Sequence, residues 1–289
     1  MANKKRSKQH MKKLLVTTDF SINSKAGMRF AFQLAKQSGC EITFLHSTEI
    51  LKPTSWSDKK FKDYAQGEIE KNRTHLKKFI EDVVSELGIR PKPYAYEVII
   101  GMNVSDLVMN FSKKLKVDYI CLSTRGAGAV EKLFGTHSSY LINHSSIPVI
   151  VVPEHYHTHP IKTVWYSCDM ENVGNELKVV ESFATSIKAK TQLNHYNYLL
   201  DDKPTKAKLE AILKKYRSVK TAIKLRKLNL DHSLVHTIEN DIKNEHPSIV
   251  ALFTKQNRNW FSRFFLGSNS AELSFATHTP LIVFRKKGK

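Results

Sequence analysis

The 289-residue chain repeats one loop-and-strand signature, and that duplication limits its fold more than any single motif does. The first copy spans residues 123–136, opening Ser-Thr-Arg-Gly-Ala-Gly and closing Phe-Gly-Thr, and an apolar strand signal follows from Ile147. The second spans residues 253–268, opening Phe-Thr-Lys-Gln and closing Leu-Gly-Ser, with its strand signal from Thr279. Pro148 and Pro280 stand at matching places in those strands, and Asp19 and Asp169 at matching places near the start of each unit. The stretch from Asp169 to Pro280 is shorter than that from Asp19 to Pro148, so the second unit has lost chain between its first strand and its loop. A repeat on this scale gives the chain two units, each long enough to bury its own core.

Strands alternate with helices in both units. In the first, strand patterns occupy 13–18, 41–46, 94–100, 118–123 and 149–152. Helical periodicity fills the gaps: a helix capped by Ser24 and stopped at Gly39, a long amphipathic one over 61–87, and others over 104–115 and 138–144. The second unit repeats the order, with strands over 162–167, 191–199, 221–228, 248–253 and 281–284 and helices over 174–187, 206–216, 233–244 and 270–277. Residues 153–160 join two domains, set at 11–153 and 161–286. Such alternation argues for parallel sheets covered by helices on both faces.

Composition excludes several classes. Cys40, Cys121 and Cys168 are too few and too scattered for a disulfide framework or a zinc site, and they read as buried thiols in a reducing compartment. No apolar run reaches the length of a membrane span, and the short stretch 14–16 behind a basic start is no secretory core, so a cytoplasmic protein with no membrane partner is expected. The formal charge of +19 invites a polyanion, but part of it sits in the tails 4–13 and 285–289 and much of the rest is spread along helices. Solvated helix faces and basic tails account for that pattern, and nucleic acid is not the expected partner.

In a parallel α/β sheet, ligands sit at the carboxyl ends of the strands, where strand order reverses. Thr18 and Asp19 after strand one, His46 and Ser47 after strand two, and the loop from Ser123 to Gly126 after strand four converge there. Small residues leading into a helix start suit an anion: backbone N–H groups at Gly126, Gly135 and Thr136, with the hydroxyls of Thr136 and Ser138, can surround a phosphate. Asp19 is badly placed for phosphate but well placed to accept bonds from a base or ribose. A tight turn without a ligand would read the same way.

The Thr-Asp-Phe-Ser after strand one, the glycine-spaced loop ending Gly-Thr, and the closing Pro-Val-Ile-Val-Val together resemble the universal stress protein family, as a tandem pair covering nearly the whole chain. The resemblance implies two open, five-stranded parallel-sheet domains of Rossmann-like, adenine-nucleotide-hydrolase-like α/β type, packed as a pseudo-dimer. It also implies ATP or AMP, with or without Mg, as the ligand of one subclass. Carried onto this sequence, Asp19 would face the adenosine, Ser47 would sit beside the adenine, Gly126, Gly135 and Thr136 would cradle ribose and phosphates, and Gly101 would line the crevice. The family pattern is Gly, two residues, Gly, nine residues, then Gly-Ser or Gly-Thr. Here Ser123 replaces the first glycine and eight residues precede Gly135, with Gly128 supplying flexibility.

In the second unit Phe253 and Gln256 stand where the glycines would be, and bulky Asn257, Arg258, Asn259 and Trp260 fill the loop. Only Asp169, Gly267 and Ser268 remain of the pattern, so a structural domain is expected. The resemblance further implies that strands 149–152 and 281–284 pair within the chain about a pseudo-two-fold axis, with a homodimer of chains as an added option. A sensor or carrier fits better than an efficient enzyme, at most a slow ATPase, since no evident base or metal cage accompanies the crevice. Two alternatives stand: a nucleotide-free scaffold, and association with nucleic acid through the tails. His155, His157 and His159 alternate in the linker without joining carboxylates, and His46 and His137 flank the crevice. Trp260, Phe261, Phe264 and Phe265 suit either helix packing or a partner surface.

Overall fold

A computed structural model describes residues 11–124, 136–198, 203–216, 221–228, 234–254 and 279–286. Elements follow in the order β1 (Lys13–Thr18), α1 (Ser24–Ser38), β2 (Glu41–Thr48), α2 (Asp58–Leu87), β3 (Ala95–Ile100), α3 (Val104–Leu115), β4 (Tyr119–Ser123), α4 (Thr136–His144) and β5 (Val149–Val152). The second half supplies β6 (Thr163–Cys168), α5 (Val173–Ser186), β7 (Lys190–Asn197), α6 (Lys203–Tyr216), β8 (Ala222–Lys227), α7 (Leu234–Glu245), β9 (Ile249–Thr254) and β10 (Leu281–Arg285). The helix expected over 270–277 lies outside the described residues.

The described strands form one ten-stranded sheet in the order β3-β2-β1-β4-β5-β10-β9-β6-β7-β8. Each half is parallel throughout, and the halves meet where β5 runs antiparallel to β10, with Ile150 opposite Ile282. Equivalent strands paired antiparallel relate the halves by a local two-fold. Both seam strands are apolar, and their Val149–Val152 and Leu281–Phe284 side chains are buried. The seam thus covers two sheet edges that would otherwise invite pairing with another chain. The remaining edges, β3 and β8, are for the most part half-buried or exposed and carry charge (Glu97; Lys224, Lys227).

Burial follows strand alternation into two layers. Leu14, Val16, Phe44 and Cys121 face α1 and α2 in a core that continues under α5 and α6 through Val164, Tyr166 and Leu193. Leu15, Leu45, Ile120 and Leu122 face α3 and α4 in the other core, which runs on through Trp165, Val250 and Leu252 to α7. Gln37 stitches the halves: its Nε2 donates to the carbonyls of Ile161 and Ile187 at 2.9 and 2.8 Å, and its Oε1 accepts from the Ile161 N–H at 2.8 Å.

Register locates the shortening of the second half. Paired positions of the second and third strands lie far apart in sequence in the first half (Thr43 with Ala95) and much closer in the second (Gln192 with Ala222). The loss falls on the crossover helix, 30 residues in α2 against 14 residues in α6.

Local signals explain most boundaries, with two corrections. Gly39 closes α1 in the left-handed region at φ 77°, its N–H reaching the Ala35 carbonyl at 2.8 Å. Ser57 caps α2, its hydroxyl accepting from the Lys60 N–H at 3.2 Å, so the helix starts at Asp58, ahead of the apolar periodicity that begins at Phe61. Ser24 is not the cap of α1 that the sequence suggested. It lies inside the helix and is buried, while Ser21 receives the Ser24 N–H through its carbonyl (3.0 Å) and its hydroxyl (3.2 Å).

Candidate functional site

Strand order reverses between β1 and β4, the place where an open α/β sheet leaves a crevice at its carboxyl edge. Thr18 and Asp19 reach that edge from β1, Ser47 from the end of β2, Gly101 just after β3, and Ser123 from the end of β4.

The turn out of β1 is held by its own side chains. Asp19 Oδ1 accepts from the Ser21 N–H at 3.0 Å and from the Ser21 hydroxyl at 2.6 Å. The buried Thr18 hydroxyl accepts from the Phe20 N–H at 3.1 Å and lies 2.8 Å from the Ser24 hydroxyl, which donates to the Ser21 carbonyl at 2.7 Å. Phe20 takes a left-handed backbone, φ 63°, rare for a bulky residue. Its ring compensates by stacking between His46 and His75, with centroids 4.0 and 4.1 Å away. His46 is buried, and its Nδ1–H donates to the Thr18 carbonyl at 2.9 Å. Burial pulls its pKa below the ordinary histidine value, and the Thr18 bond and Asp19 oppose that pull. His46 is therefore a neutral structural prop of the turn.

Ser123 departs from the role of a loop glycine. Its hydroxyl accepts the Gly27 N–H at 2.7 Å and donates to the Ser24 carbonyl at 3.3 Å, which turns it toward α1. A Cβ on Gly27 would come within 2.8 Å of that oxygen, so the two residues are fitted to each other. Sequence reading missed this pairing. The only trace of it there is a glycine inside a helix, a residue that usually marks close packing.

Ser47 is half-buried in β2, one residue on from His46, and alternation turns it to the α3–α4 face. The Gly101 N–H donates to the Thr48 carbonyl at 3.1 Å, and a Cβ there would meet Leu107 Cδ2 at 2.9 Å, the movable end of a side chain on α3. Thr136 opens α4 and Ser138 is buried in its first turn. The predicted phosphate glycines Gly126, Gly128 and Gly135 lie outside the described residues, as do the side chains of Thr136 and His137.

The second half repeats the turn and changes its chemistry. Asp169 Oδ1 accepts from the Glu171 N–H at 3.1 Å, Met170 has φ 67°, and His195 Nδ1 lies 3.2 Å from the Cys168 carbonyl. Each feature matches its first-half counterpart. But the Lys286 ammonium pairs with Asp169 Oδ2 and stands 3.2 Å from Glu171 Oε2 and 3.8 Å from Glu176 Oε1. Burial draws the Lys286 pKa down, yet the bond to Asp169 and the charge of Glu176 carry it above the ordinary lysine value. Burial pushes the Glu176 carboxyl up, against the bond from Tyr166 and the charge of Lys286. Phe253, in place of Ser123, is buried and stacks on Phe284 at 5.1 Å. Gly267 and Ser268 lie outside the described residues, and so does the aromatic cluster of Trp260, Phe261, Phe264 and Phe265.

The described part of the first crevice has Asp19 at its mouth. It offers an exposed carboxylate with one oxygen already fixed, on a rigid turn at the switch point. Among its described residues the second crevice holds a cation and three carboxylates. Among the described residues no group of three His, Cys, Asp or Glu could hold a metal, and no helix is long and apolar enough to cross a membrane. In the linker, His155 pairs with Glu154 at 3.0 Å, and His159 Nδ1 bonds the His157 carbonyl at 2.7 Å.

The model of the universal stress protein family matches residues 10–153. No curated protein matches the chain. Among solved structures, a universal stress protein from Archaeoglobus fulgidus DSM 4304 is 16% identical with a TM-score of 0.66, the match covering 94% of this chain and 98% of that one. A functionally unknown protein from Pseudomonas aeruginosa PAO1 is 10% identical with a TM-score of 0.55, covering 96% and 94%. At these identities the likeness carries the fold, a two-unit architecture spanning nearly the full length of each chain.

Proposed function

The chain belongs to the universal stress protein family through its first half, and from that premise we propose that this half binds an adenine nucleotide, ATP or AMP, for a sensor or carrier in the cytoplasm. The observation that carries the reading is Asp19. Its Oδ1 is committed to Ser21, and its exposed position at the switch point leaves the carboxylate able to accept from hydroxyl or amino donors of a nucleoside. Phosphates would be held by the N–H groups of the loop leading into α4, at the N-terminus of that helix, with Mg as a counter-ion of ATP. A carboxylate already holding two donors suits binding more than proton transfer, which favours a carrier over an efficient enzyme. Three buried thiols without disulfides agree with a reducing compartment.

Calorimetric titration of the full chain with ATP and AMP tests this reading. The expected result is one site per chain, weakened at least about tenfold, near 1.4 kcal/mol, by Asp19→Ala and unchanged by Asp169→Ala. Absence of binding at millimolar nucleotide, or equal losses from both substitutions, would sink it.

A further inference from the structure

The second crevice differs from the first at three places that meet in space. Glu171 stands where the first half has Ser21, Glu176 where it has Ala26, and Lys286 where it has Glu154. All three surround the duplicated Asp169. The Lys286 side chain is only 10% exposed, and its backbone N–H is anchored on the Thr254 carbonyl at 2.8 Å, so the ammonium is delivered from the end of β10. Glu176 is 4% exposed. Its Oε2 accepts the Tyr166 hydroxyl at 2.6 Å, while its Oε1 is buried without a hydrogen bond and faces the Lys286 ammonium. A buried carboxylate oxygen is costly without a cation nearby, so the pocket is built around a positive charge. Among the described residues, three carboxylates about one ammonium leave a formal charge of −2, which repels phosphate groups.

We infer that the second half's crevice is a primary-ammonium site, filled in cis by Lys286, and that this conversion closes it to nucleotides. An ammonium suits the place because its three donors can be shared among three carboxylates, whereas a quaternary cation donates none. The inference rests on the duplicated turn and on Lys286. It would survive a failure of nucleotide binding in the first half.

Chemical rescue tests it in the full chain without nucleotide. Lys286→Ala should melt at a lower temperature, and millimolar propylammonium should restore at least half of the loss in a saturable way. Tetramethylammonium at equal ionic strength should restore none. Lys286→Met keeps the apolar stem and should melt as low as the alanine variant, without rescue. Equal effects of the two salts, no rescue of Lys286→Ala, or a Lys286→Met protein as stable as the parent would each overturn the site. Should Lys286→Ala not fold alone, expression with propylammonium must yield folded protein, and failure there overturns the site as well.

Discussion

Residues 18–21 and 168–171 follow one backbone path, with an aspartate bonding two residues ahead, a left-handed residue after it and a histidine propping the strand end, yet they face different neighbours. In the first half Asp19 is exposed at the mouth of the crevice. In the second the Asp169 carboxylate has Lys286. Leaving a central strand for a helix dictates the turn, so the turn is duplicated. The side chains around it answer to no such geometric demand, and they diverged.

The opposite face of the sheet shows the same contrast. Leu15, Leu45, Ile99, Phe111 and Leu115 form an apolar cluster under α3. Their counterparts are Trp165, Asn194, Arg226, Asp241 and Glu245. Arg226 lies over the Trp165 ring at 4.5 Å, bonds Asn194 Oδ1 at 2.8 Å, and pairs with Asp241 and Glu245 at 3.1 and 3.0 Å. One half fills this layer with hydrocarbon and the other with a bonded ionic network.

Breaking that network should give the largest effect. Arg226→Leu leaves Asp241 without this cation and Glu245 with Lys224 alone, and should cost about 3 kcal/mol in urea unfolding. A neutral substitution would mean the network is ornamental and the two layers are energetically alike. A smaller effect separates the crevices at their fourth strands. Gly27→Ala, normally favourable in a helix, should destabilise by about 1 kcal/mol because its methyl meets the Ser123 oxygen. In a Ser123→Gly background the same change should turn favourable, a coupling that a double-mutant cycle reads directly. Independent effects would show that Ser123 does not fix the end of β4 to α1.

The smallest effect is on pH. A depressed histidine pKa means that the stability from neutral His46 is fully present above the ordinary value of 6.5 and is lost as pH falls through its folded value. Glu245 behaves on another scale. Burial opposes its ionisation, but Arg226 and Lys224 hold its pKa down to about 2, so its contribution is complete above 4.5 and disappears only as pH falls toward 2. Between pH 6.5 and 4.5, amide exchange should therefore rise at the β1–α1 turn before it rises around β8 and α7. The reverse order would contradict the assignment of His46 as a buried neutral prop.

The duplicated strands, their α/β alternation and the position of Asp19 were legible because they rest on local pattern: apolar runs, helical spacing, a turn aspartate. The start of α1 was misread because the residue that receives the helix N–H, Ser21, looks like any loop serine. Ser123 was legible only as a departure from a glycine pattern, since nothing nearby in sequence announces that its partner is Gly27, 96 residues away.

Lys286 shows the division most plainly. In sequence it belongs to a basic tail and reads as solvated charge. In the fold it is a half-buried cation bonded to Asp169, 117 residues earlier. Two units, their strands and the turn that each first strand must make follow from local pattern, because hydrophobic periodicity and turn chemistry act over short stretches of chain. Which charges meet in each crevice follows from the folded arrangement of the strands. That pairing depends on β10 carrying its end to the side of β9, alongside β6, a juxtaposition made by strand order and invisible to local pattern.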